Sequence, residues 1–428
     1  MTVTTSETHH AIEAVWRIES ARLIAGLTRI VRDVGRAEEL AQDALVAALE
    51  QWPKSGVPVN PGAWLMATAK HRAIDHFRRT VLIDRKHEEL GRDLAERESI
   101  VPDLAAAIDD NIGDDLLRLV FIACHPLLPT ESRVALTLRL LGGLTTAEIA
   151  RAYLASEATI AQRIVRAKRT LSEAHVPFEV PRGAEFTARL SSVLQVIYLI
   201  FNEGYSVTAG EDWIRPALCE EALRLGRILA ELVPEESEVH GLVGLMEIQA
   251  SRTKARVGPS GEPILLLDQD RMLWDRLLIT RGLAALERVA QLGGMRGLYA
   301  IQAAIAACHA RAATAEETDW TRIAALYADL AEVSPSPVIE LNRAVAVGMA
   351  SGPTAGLMLV DALREEPALQ GYHLLHSVRG DLLKKLGRLA EAGMEFETAA
   401  SITRNARERN LLLERARACT LGVKQTSV

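Results

Sequence analysis

Two helix-start signals, Thr145 and Ser156, stand eleven residues apart, and each is followed by helix-forming sequence. Thr145 can accept a hydrogen bond from the backbone three residues on. Glu148, at that position, can return one, giving a capping box with Leu144 and Ile149 as its hydrophobic staple. After a short turn at Leu154-Ala155, Ser156 caps the next helix and Glu157 suits its positive end. On that helix Ile160, Ile164, Ala167 and Leu171 form one apolar stripe that packs on its neighbour. Thr159, Gln162, Arg163, Arg166 and Arg169 project to the other side, and Lys168 joins them in a run, 158–172, that holds no acid. A helix of this kind fits the DNA major groove, where Arg reads guanine and the other groups hold phosphates. A plain helical hairpin with a solvated basic face has the same pattern. The two caps at this spacing, followed by the acid-free run, favour DNA binding.

The whole chain is helical in character. Ala, Leu, Arg and Glu dominate and aromatics are only 4%, and these residues lose little rotamer freedom in a helix. With 428 residues it is too long for one core, so two to four domains are expected. The net charge of −7 argues against nucleic acid until it is mapped. Residues 84–115 hold eleven acids against four basic residues. Lys70, Arg72, Arg78 and Arg79 form a second basic cluster. No apolar stretch is long and uninterrupted enough to span a bilayer, the nearest being residues 193–201. The four cysteines (Cys124, Cys219, Cys308, Cys419) are far apart, as reduced cytoplasmic thiols would be.

Apolar spacing through Val15, Ile18, Leu23, Leu27 and Ile30, then Leu40, Ala44, Ala48 and Leu49, predicts two helices. Pro53, Gly56, Pro58 and Pro61 predict a loop over 53–62, and a third helix follows over 63–79. The acidic stretch reads as a linker, and a second compact unit follows. From about residue 187 helix follows helix, with turn signals at Gly204, Gly210, Pro234, 258–263, 293–297, 335–337, Gly352 and Gly387. Residues 341–363 can be laid over 376–398 with a shift of about 35, close to the period of a tetratricopeptide helix pair.

Region by region the residues resemble a known family. Thr145-x-x-Glu148-Ile149-Ala150, Ser156-Glu157-x-Thr159-Ile160 and Arg163-x-x-Arg166-Ala167-Lys168 are similar to the promoter-binding helix-turn-helix of group IV (extracytoplasmic-function, sigma-70-like) sigma factors. The run Arg36-Ala-Glu-Glu-Leu-Ala-Gln-Asp-Ala-Leu45 resembles the helix that grips the clamp of core RNA polymerase, implying Glu39, Leu40, Gln42 and Asp43 as contacts. The run Pro61-Gly-Ala-Trp64 to Arg79 resembles the segment that melts and reads the minus-ten element, implying Trp64, Lys70, His71, Arg72, Arg78 and Arg79. His71 stands where most relatives have Asn, and Ala155 where the turn usually has Gly. Phe201-Asn-Glu-Gly-Tyr205, Asp268-Gln-Asp-Arg271 and Leu341-Asn-Arg-Ala-Val-Ala346 resemble a subgroup with a tetratricopeptide-like C-terminal extension. There the extension stands in for a separate membrane anti-sigma factor, and genes for small YCII-related proteins lie nearby.

The resemblance implies an all-α protein with four parts: region two (1–85), an acidic linker (86–113), the region-four helix-turn-helix that takes the minus-thirty-five element (114–176) and a helical extension (187–428). Its implied partners are core RNA polymerase and promoter DNA, with the extension contacting the sigma domains and a small YCII-related protein as a further partner. No membrane association, cofactor or metal is expected. Trp64 offers a face for an unpaired base, and the basic residues neutralise phosphates.

An enzyme is the main rival class. The chain has no GxxxxGK[ST], GxGxxG or HExxH. Cys124-His125, Cys308-His309 and His373-x-x-His376 read better as structural residues than as metal ligands. Asp268, Asp270 and Asp275 read as helix caps and ion-pair partners, and Gly204 as a helix C-cap. A repressor with a ligand-sensing helical domain is a second rival, but has no use for a melting helix. A pure scaffold is a third, predicting no promoter-dependent activity.

Overall fold

A computed structural model describes residues 5–87, 112–153, 155–206, 214–259 and 261–426, with side chains from 8–74, 114–153, 155–206, 214–259 and 261–421. Arg78 and Arg79 lie outside the described side chains, and the acidic linker and Gly210 lie almost wholly or wholly outside the described residues. The chain forms two compact units, residues 1–197 and 198–428. Among the described residues the regular elements are all helical.

The first unit begins with α1 (Thr5–Val31), α2 (Val34–Ser55) and α3 (Pro61–His87). Arg32 adopts a left-handed φ of 53°, and the Asp33 carboxylate caps α2 by accepting from the Arg36 N–H at 2.8 Å. The inner face of α2 is alanine (Ala37, Ala41, Ala44 and Ala48, each 0% exposed, and Ala47, 2% exposed), which lets α1 and α3 approach closely. Leu23, Ile24, Leu27, Leu65 and Trp52 fill the core. Each such side chain contributes about 1.5–3 kcal/mol by leaving water. Ile18 and Leu49, expected in the buried stripes, are 64% and 40% exposed. Ile12, Ala21 and Ile24 fill α1's inner face instead, because a 3.6-residue turn carries Ile18 off that stripe.

The predicted proline loop is shorter than expected. Pro53 lies in the last turn of α2, where the missing N–H and the ring are tolerated near the helix end. Gly56, at φ 84°, ends the helix by donating to the Trp52 carbonyl. The loop is residues 56–60, and Asn60 caps α3 by accepting from the Ala63 N–H at 3.1 Å.

Four further helices complete this unit with the first half of a fifth. They are α4 (Ile112–Ala123), α5 (Thr130–Leu140), α6 (Thr146–Ala152), α7 (Glu157–Glu173) and α8 (Gly183–Tyr205). Arg189 of α8 donates to the Phe121 carbonyl at 2.9 Å, and Ser192 to the Cys124 carbonyl at 2.8 Å. By length and composition α8 could cross a membrane, which the sequence expectation missed because Ser, Thr and Gln interrupt its apolar run. Leu190, Val193, Leu194, Val196, Ile197, Ile200 and Phe201 are buried, as in the core helix of a folded domain.

The second unit runs α9 (Pro216–Leu232), α10 (Ser237–Ala250), α11 (Arg276–Gln291), α12 (Leu298–Arg311), α13 (Trp320–Val333), α14 (Pro337–Ser351), α15 (Pro353–Ala362), α16 (His373–Lys385), α17 (Leu389–Ile402) and α18 (Ala406–Thr426). Consecutive helices pack on one another. Helix α10 is buried on every face, with even Glu247 at 3% exposure and paired to Arg227 at 2.8 Å. Glu238 satisfies the start of α12 by accepting from the Tyr299 and Ala300 N–H groups at 3.0 and 3.2 Å.

The weak 35-residue repeat corresponds to two helical hairpins. In α14–α15 the turn is Gly352, at φ 99°, and in α16–α17 it is Gly387, at φ 76°. Gly204 departs from its predicted role. It lies inside α8, and a Cβ there would sit 2.8 Å from the Cys219 nitrogen and 2.9 Å from the Arg215 carbonyl, so glycine is required for close approach rather than for capping. Asp270 and Asp275 do cap, accepting from Met272 at 2.9 Å and from Leu277 and Leu278 at 2.9 and 3.1 Å. All four cysteines are buried and free.

Candidate nucleic-acid and polymerase interface

The helix-turn-helix is built by its caps. The Glu148 N–H donates to Thr145 Oγ1 at 3.2 Å and the Thr145 N–H to Glu148 Oε2 at 2.7 Å, a complete capping box. These bonds and the neighbouring Arg17 hold the Glu148 carboxyl below its usual range against the opposing effect of burial, which is the largest single influence. Ser156 caps α7 by accepting from the Thr159 N–H at 3.1 Å. Leu154, the first residue of the turn, lies outside the described residues, and the Ala155 N–H closes the end of α6 by donating to the Ala150 carbonyl at 3.0 Å.

Ile160, Ile164, Ala167 and Leu171 are the buried residues of α7. At about 100° per residue, Thr159, Gln162, Arg166 and Arg169 fall opposite that stripe, and all four are exposed. Arg163 is half-buried at the edge of this face. Lys168 lies on the other flank, where its ammonium is ion-paired with the Glu38 carboxylate of α2.

Glu38 is 3% exposed and is a hub that the sequence did not reveal. Arg139 of α5 donates to it at 2.6 Å, as does Gln42 at 2.6 Å. A second buried carboxylate, Asp115 of α4, is held by Arg29 of α1 at 3.1 Å and Arg118 at 2.7 Å. Burial raises its pKa despite both guanidiniums. Arg17 of α1 meets Glu148 at 3.0 Å. Four ion pairs therefore join α1–α2 to α4–α7. Only long-range placement could disclose them, since Glu38 in sequence looks like any helix-face acid.

On α2, Glu39 and Asp43 are exposed and Gln42 is half-buried. Leu40, at 3% exposure, belongs to the core beneath them. Val46, 49% exposed, continues the outer stripe from Glu39 and Asp43 at spacings of four and three. On α3, Lys70 and Arg72 are half-buried and His71 is exposed. Arg72 approaches Asp43 at 3.6 Å. The half-buried Trp64 meets Trp52 edge-on, with centroids 5.3 Å apart at 68°. Trp52, 1% exposed, was not singled out from sequence. Its position twelve residues before Trp64, across the proline loop, was the available signal. Among the described residues no group of His, Cys, Asp and Glu is arranged to hold a metal.

Three family models match the chain: Sigma-70 region 2 over residues 18–81, Sigma-70 region 4 over 118–171, and a family of unknown function, DUF6596, over 189–290. The ECF RNA polymerase sigma factor SigK of Mycobacterium ulcerans is 31% identical over 157 residues, 35% of this chain and 78% of the relative. The chain belongs to the ECF RNA polymerase sigma factors. A SigK of Mycobacterium sp. (strain KMS) is 29% identical over 168 residues, 36% of this chain and 77% of its own. An uncharacterized protein of Rhizobium meliloti (strain 1021) is 45% identical over 390 residues, 90% of each chain. The ECF sigma factor core is thus followed here by a helical extension, and the match to the Rhizobium protein takes in both. Region 2 corresponds to α1–α3 and region 4 to α4–α7. As an ECF sigma factor the chain has core RNA polymerase and promoter DNA as partners.

Proposed function

We propose that residues 10–80 bind core polymerase and the minus-ten element and that 114–175 bind the minus-thirty-five element. The observation that carries this reading is the exposed set Thr159, Gln162, Arg166 and Arg169 on one face of a doubly capped helix. In this account Arg163 and Arg166 read bases, while Thr159, Gln162 and Arg169 hold backbone. Trp64 stacks on a separated base, and Lys70, His71, Arg72, Arg78 and Arg79 follow the strand. Glu39, Gln42 and Asp43 face the polymerase clamp, with Leu40 holding their helix in place. The protein works in the cytoplasm as a non-catalytic subunit.

The packed core implies an opening step. Elements 25 base pairs apart span about 85 Å of duplex, at roughly 3.4 Å per pair. Regions 2 and 4, joined through Glu38 and Asp115, cannot reach both at once. Engagement with polymerase and promoter separates them, and Lys168 then becomes available to phosphate.

The extension regulates this step, through contact with the sigma domains and with a small YCII-related protein as a further partner. Truncation tests the regulation. Ending the chain near residue 180 removes Arg189 and Ser192, which bond to the Phe121 and Cys124 carbonyls at and just past the end of α4, so a chain ending after Tyr205 is the cleaner comparison. Promoter strength or choice changes in run-off transcription if the extension regulates. Unchanged strength and choice would remove the regulatory role. If the truncated and full chains both fail to bind promoter with core polymerase, the DNA assignment itself is wrong.

A further inference from the structure

Two of the extension motifs, ending in Tyr205 and Arg271, meet in a cluster of buried cations that the promoter chemistry does not use. Arg256 stacks on Tyr205, its guanidinium carbon 3.8 Å from the ring centroid. Arg271 lies 4.8 Å over Trp274 and donates to the His309 and Ala312 carbonyls at 2.6 and 2.7 Å and to Thr318 Oγ1 at 3.1 Å. Arg252 sits between the two rings, 5.8 Å from Tyr205 and 5.8 Å from Trp274.

Arg252 is only 8% exposed. Its Nε has no hydrogen-bond partner, and neither has the indole N–H of Trp274 or Nδ1 of His309. Among the described residues no carboxylate lies within ion-pair distance of Arg252 or Arg271. Other arginines of this unit are matched to acids: Arg215 to Glu203 at 2.8 Å, Arg227 to Glu247 at 2.8 Å and Arg379 to Asp361 at 2.8 Å. An arginine cannot escape burial by losing its proton, and a buried charge is retained when it is paired. The acids whose charge reaches Arg271, Glu316 and Glu317, are exposed.

Surplus donors, surplus positive charge and flat aromatic walls define one kind of occupant. We propose that the extension binds a small-molecule oxyanion, a phosphate or carboxylate group, between Arg252, Trp274 and His309. Arg252 supplies a planar fork of donors suited to either group, and Trp274 and His309 supply single N–H donors. Arg256 and Arg271 are held by carbonyl oxygens and add positive charge from the sides. The site lies within the matched family of unknown function, residues 189–290, apart from His309, and does not depend on how regions 2 and 4 bind DNA.

The full-length protein tests this by calorimetric titration and thermal unfolding at constant ionic strength, with inorganic phosphate and succinate as separate probes and chloride as control. At least one oxyanion binds saturably and raises the melting temperature. Arg252→Met weakens that binding tenfold or more, and Arg252→Lys restores part of it. Trp274→Phe keeps the packing and removes one donor, weakening binding about threefold, so the test survives if Arg252→Met fails to fold. A response to phosphate alone, or to succinate alone, assigns the head group. No saturable response to either, or equal binding by wild type and the Arg252 and Trp274 variants, overturns the proposal.

Discussion

Lys168 of α7 and Glu38 of α2 form an ion pair across the packing of region 4 on region 2, with Arg139 completing the contact at 2.6 Å. The Glu38 side chain is 4% exposed and its two cationic partners 21% and 22%. Glu38→Gln therefore strands two half-covered cations. The first unit loses on the order of 3 kcal/mol, the lower end of what breaking a buried pair costs. The urea midpoint of its unfolding should fall accordingly. An unchanged midpoint would mean that the pair contributes nothing to the closed packing.

The two flanks of α7 should separate in a binding assay. Arg166→Ala, on the exposed face, loses about 1–3 kcal/mol of minus-thirty-five binding at physiological salt, and Arg163→Ala a similar amount. Lys168→Ala lowers stability but changes promoter choice little. Fluorescence anisotropy on a duplex promoter distinguishes them. Equal binding by Arg163→Ala, Arg166→Ala and wild type places the recognition face elsewhere.

The tryptophan pair separates folding from promoter melting. Trp52 is wholly enclosed, and Trp52→Ala should destabilise the first unit by about 3–5 kcal/mol. Trp64→Ala, at a half-buried ring, costs less stability but suppresses open-complex formation, read by permanganate reactivity of the minus-ten thymines. Normal strand opening with Trp64→Ala removes the stacking role.

Burial, followed by the charges of Arg252 and Arg271, drives the His309 imidazole down to about 3, against an ordinary value near 6.5. The unfolded chain takes up a proton that the folded chain refuses. Stability from this group is therefore complete above about pH 6.5 and is lost as pH falls toward 3. Between pH 7 and 5 the loss is on the order of 2 kcal/mol. The urea midpoint of the second unit falls over that range, and His309→Gln flattens the fall. Parallel curves would assign the pH dependence to other groups.

Local patterns were legible in the chain because neighbouring residues carry them. The capping box at Thr145 and Glu148, the Ser156 cap and the stripe Ile160, Ile164, Ala167, Leu171 all stand as expected. So do the glycine turns at Gly352 and Gly387. Composition groups Lys168 with the basic face, although its angle around the helix sets it on the other flank. The local pattern around Gly204 predicts a helix end, whereas the reason for the glycine is the close approach of Cys219, which is distant along the chain. The Pro-Gly spacing predicts a loop at Pro53, yet the last turn of a helix accepts it.

What stayed hidden depends on contacts between distant segments. Glu38 meets Arg139 a hundred and one positions along the chain, and nothing around Glu38 announces that partner. Arg252 and Arg256 flank one short helical turn and Arg271 begins another, and only folding brings them together around Tyr205 and Trp274. Trp52 looked like an ordinary helix-end aromatic until its ring met that of Trp64.

Run-off transcription with purified core polymerase tests the central claim most directly, comparing the wild-type protein with a Trp64→Ala, Arg163→Ala double variant. Templates are the protein's own upstream region and a random promoter library. The account predicts transcripts from a defined start with the wild type and none with the double variant. Equal transcription by both, or a wild-type protein that neither binds core polymerase nor initiates, would contradict it.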